Sequence, residues 1–240
     1  MTKTVSTGHA ANMAGVAAVD RALAIAKVLE KARRPLSLSQ IAVETGIYKS
    51  SVLRLMTSLE RSGLVVRRRD QRYVLGHFAF SLGKAYSAVS HLEETLLPLM
   101  QRLVDNGAES PSFHVVYDET TRLCLMRVDS RHSTLDRVCA GDLLPIDRGA
   151  AGKLLRRSFP QESVKSPGDL LEHSFGERDP SCGAIAGPVF GPGPELLGVL
   201  SLSGPLERFT PQSVQLMSGP LLEACEAATR ELGGQWPVKE

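Results

Sequence analysis

Residues 36–76 constrain this chain more than any other stretch. Their pattern of apolar and small positions leaves room for little except two short helices crossing at a tight turn, followed by a hairpin. Ile41, Ala42, Thr45, Gly46, Ile47, Val52 and Leu55 occupy the positions that such helices need in order to share a small core. Ala42 is small because the second helix passes over it, Gly46 can take the left-handed conformation that ends the first helix, and Ile47 tucks under the turn. Between the inward residues the second helix points Lys49, Ser50, Ser51 and Arg54 outward. Short hydroxyls and long cations at a helix N-terminus suit phosphate oxygens and base edges in a major groove.

The residues that follow extend the pattern. Gly63 to Val66 is expected as a strand, Arg67 to Gln71 as a turn, and Arg72 to Gly76 as the returning strand, so that Arg67, Arg68 and Arg69 ride a hairpin tip. A run of cations is usually a wet surface. Directly behind a helix-turn-helix it favours the sugar-phosphate backbone or a minor groove instead.

At 240 residues, with 42% hydrophobic content, the chain is long enough for two modest domains with real cores, and the expected class is α+β. The net charge of +2 decides little; its distribution matters more, since basic residues gather between Arg33 and Arg72 while carboxylates are commoner beyond. No apolar run is long enough to span a bilayer and the first residues lack the apolar block of a signal peptide, so a cytoplasmic protein without membrane contact is expected. Cys124, Cys139, Cys182 and Cys225 are widely spaced, which argues for reduced thiols rather than a zinc site or disulfides.

Residues 1–15 are expected as a disordered tail. A helix follows from Val16 to about Arg34, with Val19, Leu23, Ile25, Ala26, Val28 and Leu29 on its packed side and Arg21 opposite, free to meet a phosphate. Ser37 to Ser39 caps the next helix, and Ser39 joins Arg21, Lys49, Ser50, Ser51, Arg54, Arg67, Arg68, Arg69 and Arg72 as an expected DNA contact. The winged head should close at residue 76. A linker helix is expected over 77–91, packing Phe78, Phe80 and Leu82 on a partner chain, and a second domain over 92–233 with a tail at 234–240. In that domain a helix from Leu92 carries Pro98 in its first turn or at a kink. Strands are expected over Ser112–Tyr117, Arg122–Val128, Thr134–Cys139, Gly183–Phe190 and Leu196–Ser203, a short helix at Gly149–Lys153, and a final helix from Thr210-Pro211 kinked at Gly219-Pro220.

Together these features resemble the IclR family, the isocitrate-lyase-regulator type of bacterial transcription factor. The resemblance runs from about Val19 to Gly233. It rests on Asp20-Arg21-Ala22-Leu23, Pro35 to Leu38, Ile41-Ala42 with Thr45-Gly46, Lys49-Ser50-Ser51 with Arg54-Leu55, and Tyr73 to Gly76. Further on it rests on Gly149 to Lys153, Ala186 to Phe190 and Ser201 to Pro205. It implies a winged helix-turn-helix, a linker helix and a GAF-like effector domain, acting as a homodimer or tetramer on double-stranded, palindromic operator DNA.

The resemblance also implies a cleft for a small organic or aromatic acid, with Leu135 and Leu143 as apolar wall, Gly149 and Ala150 as backbone donors, Ala184 opposite, and Ser201 and Ser203 as hydroxyl donors. Ser201 and Ser203, two apart on a strand, share a face. The segment between Arg157 and Cys182 is shorter than the family's, and Glu177 and Asp179 are the candidates for an acidic residue that some members place there.

An enzyme is not expected. Gly149 to Lys153 superficially looks like a phosphate-binding loop, but Asp147 stands where its first glycine belongs and Leu154 where Ser or Thr is required. No nucleophile elbow occurs, and none of the 6 histidines has metal-ligand spacing, so no metal or cofactor is called for. The rival expectation is a DNA-binding regulator whose second domain only oligomerises.

Overall fold

The computed structural model describes residues 15–157, 159, 166–193 and 196–237. The expected tail lies, except for Gly15, outside these residues, as do parts of the segment after Arg157. The chain forms two compact units, with the division between Tyr86 and Ser87.

The first unit opens with α1 (Ala17–Ala32), which stops where Arg33 turns left-handed at φ 47° ahead of Pro35. The helices α2 (Leu38–Thr45) and α3 (Lys49–Arg61) follow, then the antiparallel strands β1 (Val65–Arg67) and β2 (Tyr73–Leu75). A reciprocal capping box starts α2: the Gln40 amide donates to Ser37 Oγ at 3.3 Å, and the Ser37 amide donates to Gln40 Oε1 at 2.9 Å. Gly46, at φ 66°, ends it in the expected left-handed cap. Thr45 locks the corner by donating to Ile41 O at 2.7 Å while accepting from the Ile47 amide at 3.3 Å.

Ile25, Leu29, Leu36, Ile41, Val52, Met56, Leu59, Val65 and Tyr73 form one buried core. Each large side chain sealed there contributes about 1.5–3 kcal/mol of transfer free energy. Leu36 bridges to Tyr73, adding a third short edge to the wing. Two expectations for α1 fail: Val19 and Leu23 are 53% and 52% exposed. The α2 and α3 core takes only the Ile25 and Leu29 face of α1.

The helix α4 (His77–Ser90) crosses the division, and every residue from Phe80 to Tyr86 is exposed, including Phe80, Leu82 and Tyr86.

The second unit begins with α5 (Leu92–Asp105), which buries Leu96, Leu99, Met100 and Leu103 as expected. Its strands are β3 (Ser110–Val116), β4 (Thr121–Arg127), β5 (Leu143–Pro145), β6 (Glu172–Phe175), β7 (Cys182–Phe190) and β8 (Leu196–Pro205). They form a fully antiparallel six-stranded sheet in the order β5-β4-β3-β8-β7-β6. The helix α6 (Ala150–Leu155) precedes β6, and α7 (Pro211–Glu231) closes the unit. Both α5 and α7 continue through Pro98 and Pro220, so neither proline ends its helix. One core joins α5 and α7 to the sheet through Phe113, Ile185, Leu200, Leu202 and Leu221. A second, smaller core joins α6 to Ala186 and Val199.

The expected strand at Thr134–Cys139 does not form; the sheet's edge is β5 instead, and residues 134–139 run as irregular chain. Among the described residues of 158–181, the chain forms β6 and a 3-10 turn at Pro167–Leu170.

Candidate functional site

Two surfaces carry the functional chemistry, one in each unit. On the first, Lys49, Ser50 and Arg54 are exposed along α3, Ser51 is half-buried, and Ser39 is exposed in the first turn of α2. The α3 cap residue, Tyr48, offers no side-chain acceptor, so the first amides of the helix have no capping group. Such a terminus is a ready anion receptor. Tyr48 is itself 86% exposed, an aromatic beside the basic row that sequence reasoning missed. Arg21 is exposed on α1.

At the hairpin, Arg68, Arg69 and Arg72 are exposed around a turn closed by the Arg68 amide donating to Arg72 O at 2.8 Å. Gln71 adopts φ 64° there. Arg67 is not at the tip as expected: it belongs to β1, and its guanidinium lies 5.8 Å from the centre of the Tyr73 ring. Arg68 lies 3.7 Å from Asp70, whereas among the described residues no carboxylate pairs with Lys49, Arg54, Arg69 or Arg72. On this face Lys49, Arg54, Arg69 and Arg72 are therefore solvated cations with no ion-pair partner among the described residues.

The second surface is a small cavity between α6 and the sheet, of about 30 Å³. Gly149, Ala150, Ala184, Ser201 and Ser203 all line it, so five of the expected effector residues are brought together. Their convergence follows from the ladder, because Ser203 pairs with Ala184 and Ser201 with Ala186 across β7 and β8, which puts them on one face. Leu135 and Leu143 do not line it; Val138 and Leu144 do. Leu144 pairs with Arg122 and so shares its face, while Leu143 pairs with Leu123 on the other. A one-residue slip inverts the side a strand residue faces, which accounts for Leu144 in place of Leu143; Leu135 lies in the irregular chain at 134–139, where no strand alternation holds.

Sequence reasoning missed the charged residues in and beside this cavity: Arg122 and Arg178 line it, while Asp136 and Arg127 are not in the lining but bond to the lining residues Ser203 and Arg178. Asp136, with its side chain wholly buried, accepts from Ser203 Oγ at 2.9 Å and lies 2.5 Å from Arg127 Nη2 and 3.3 Å from Arg178 Nη2. Ser201 Oγ lies 3.2 Å from Ser112 Oγ, which in turn lies 3.0 Å from His114 Nε2. Both expected hydroxyls are therefore already engaged within the protein. Glu177 and Asp179 do not enter the cavity lining: Glu177 holds Lys153 at 2.8 Å, and Asp179 accepts from the Ser181 amide and hydroxyl.

Arg122 and Arg178 line the cavity with His114. Burial, then repulsion from Arg178, brings the Arg122 guanidinium down to about 10, which still leaves it charged. Burial pushes His114 well below its ordinary value near 6.5, and the nearby arginines Arg122, Arg178 and Arg127 add to this, so its ring is neutral. Glycine is needed beside Arg122. A Cβ at Gly152 would stand 2.7 Å from Arg122 Nη1 and 2.8 Å from Ile146 O, and Gly149 carries φ 78°.

Of the four thiols, Cys124 and Cys225 are buried, and burial raises Cys124 to about 12; Cys139 is exposed, and Cys182 is half-buried in the cavity lining. Among the described residues, no group of three or more His, Cys, Asp or Glu could hold a metal, and no helix is long and apolar enough to cross a membrane.

Comparison with known proteins places this geometry. Residues 18–69 match the IclR helix-turn-helix domain. The chain is similar to the transcriptional repressor IclR of Escherichia coli, 21% identical over 91% of each chain. It is also similar to the HTH-type transcriptional regulator BhcR of Paracoccus denitrificans, 25% identical over 94% of this chain and 90% of that one. Among solved structures, an IclR-type regulator from Silicibacter sp. TM1040 superposes with a TM-score of 0.78 at 21% identity, over 91% of this chain and 97% of that one. An IclR homologue from Microbacterium hydrocarbonoxydans, solved with 4-hydroxybenzoate, superposes with a TM-score of 0.71 at 18% identity, over 90% and 99%. At these identities the structural likeness speaks for the fold alone. Residues 18–69 thus form an IclR-type helix-turn-helix domain, and along nearly its whole length the chain is similar to transcriptional regulators of the IclR family.

Proposed function

We propose that this protein is a ligand-responsive transcriptional regulator, reading operator DNA with its first unit and sensing a small organic acid in the cavity of its second. The DNA part rests on one observation above the others: Lys49, Ser50 and Arg54 stand exposed along α3, with no described carboxylate neutralising the cations. In this reading α3 enters the major groove, Ser51 and Ser39 contribute hydroxyls, and Arg21, Arg67, Arg68, Arg69 and Arg72 meet the backbone. The sensing part is supported by five expected pocket residues lining one cavity, and by the related fold solved with 4-hydroxybenzoate.

The exposed apolar residues Val16, Val19 and Leu23 on or beside α1, and Phe80, Leu82 and Tyr86 on α4, support a homodimer or tetramer acting on a palindromic site in the cytoplasm. One recognition helix reads only a few base pairs, so a symmetric pair gains specificity.

Fluorescence anisotropy on operator DNA across a salt series tests the interface. Arg54→Ala lowers operator affinity by about 1–3 kcal/mol if it reads a base, whereas Arg68→Ala weakens all sequences alike and reduces the slope of log affinity against log salt by about one. Unchanged operator binding by Arg54→Ala at every salt concentration would remove α3 from the groove.

A second reading, in which the second unit only joins copies together, draws on the engagement of Ser201 and Ser203 by Ser112 and Asp136. A metabolite panel in a thermal-shift assay separates the two, since a ligand that binds only the folded state raises Tm.

A further inference from the structure

We propose that Arg122 is the charge anchor of the cavity and that the ligand it selects is a compact aliphatic carboxylate rather than an aromatic acid. This rests on the reading of the second unit as a sensor, and it moves the site of charge recognition away from the amides and serines expected from sequence.

Arg122 is 3% exposed, and no described carboxylate pairs with it. Its hydrogen bonds run from Nη1 alone, to Pro145 O and to Arg148 O, while Nε is buried without a partner. A buried guanidinium left without a counter-charge is costly unless something supplies one. The contrast with Arg127 is direct, because that side chain, buried to the same degree, has both Asp136 and Asp129.

The local charge balance points the same way. Arg122, Arg127 and Arg178 lie in this region, and the carboxylates that pair with them among the described residues are Asp136, wholly buried, and Asp129, 60% exposed. Asp136 is already shared by two of the three guanidiniums. Of the three, Arg122 is the one with no ion-pairing carboxylate among the described residues; Asp147 acts on it through its field without forming an ion pair.

The rest of the lining sets shape and polarity. His114 Nδ1 is buried with no partner, which leaves one hydrogen-bonding position of the neutral ring open. Gly152 leaves room for the guanidinium to lie beneath α6, where any larger residue would collide with it. The cavity volume of about 30 Å³ is the space of roughly one water, far below what a drug-sized or aromatic ligand occupies. An anion of few heavy atoms fits with local adjustment; a benzoate ring demands that the core between α6 and β8 reopen.

The test is isothermal titration of the full chain, at fixed ionic strength, with acetate, propionate and lactate, with their amides, and with benzoate and 4-hydroxybenzoate. The wild type binds at least one aliphatic carboxylate, binds its amide roughly 100-fold more weakly, and prefers it to the aromatic acids. Arg122→Gln loses roughly 100-fold of that affinity. Arg122→Lys, which keeps the charge and secures the result should the glutamine variant fold poorly, keeps the preference for carboxylate over amide. Urea unfolding of the full chain, followed by circular dichroism, serves as the folding control for both variants. If a carboxylate bound Arg122→Gln or its own amide analogue bound the wild type equally well, the anchor would be lost while the sensor reading stood. Tighter binding of 4-hydroxybenzoate than of any aliphatic acid would overturn the size class. Silence from every probe would sink the sensor reading and the anchor together.

Discussion

The arginines of α3 and the wing and the two arginines of β4, Arg122 and Arg127, live under opposite physical conditions. In the head, Arg54, Arg68, Arg69 and Arg72 stand in water, and only Arg68 has a described carboxylate within reach. In the second unit, Arg122 is 3% exposed and the side chain of Arg127 4% exposed, each drawn into the structure by the strand that carries it. A solvated cation costs its fold almost nothing and is free to meet a phosphate, whereas a buried one must be answered by a specific partner. The head therefore keeps charge as surface, whereas the second unit also buries a few charges, Arg122, Asp136 and the Arg127 side chain among them.

The contrast is most sharply broken at Asp136. Asp136→Ala leaves Arg127 and Arg178 without their shared counter-charge and frees Ser203 Oγ, so the second unit is expected to lose about 3–5 kcal/mol in urea unfolding. A loss below about 1 kcal/mol would mean that water compensates these guanidiniums and that the site is wet.

An intermediate effect comes from His114. Because its folded value lies well below its ordinary 6.5, the unfolded chain takes up a proton below that pH while the folded chain does not. Stability of the second unit is then present above pH 6.5 and declines as the pH falls, by up to about 1.4 kcal/mol per pH unit until the buried ring itself titrates. Thermal melts between pH 7 and pH 5 give the slope, and His114→Asn should flatten it. An identical slope in the variant would assign the acid sensitivity to the carboxylates instead.

The smallest expected effect completes the comparison. Arg54→Ala and Arg69→Ala should each change head stability by no more than about 0.5 kcal/mol, since neither side chain has a described ion-pair partner to lose. A substantially larger change would mean that the head's cations are structural too, and its separation from the second unit would collapse.

Legibility in the sequence follows the same division. The capping residue Ser37, the left-handed Gly46 and the outward row Lys49, Ser50 and Arg54 could all be read because they depend on spacing within a few residues. Helix ends and turns are local decisions. Val19 and Leu23 show the limit: helical periodicity marks an apolar face, but not which part of it a neighbour covers, and both are exposed.

In the second unit, Ser201, Ser203 and Ala184 could be placed because period-two alternation along regular strands survives in the ladder. Arg122 and Arg127 could not. They are five apart, so simple alternation would put them on opposite faces. Between them β4 takes one extra residue against β3, since Phe113 pairs with Met126 while His114 pairs with Cys124. That bulge turns the two arginines to the same side.

The sequence by itself determined the helix-turn-helix and its basic face, the antiparallel architecture behind it, and the small residues that open the cavity. Their signals lie in local periodicity, caps and turns. Only the tertiary structure decided which charges are buried, that Asp136 rather than Glu177 or Asp179 answers them, and that Arg122 is left without a carboxylate among the described residues. Those outcomes depend on strand register, one bulge and an irregular segment at residues 134–139, and a shift of a single residue in any of them exchanges the inside for the outside.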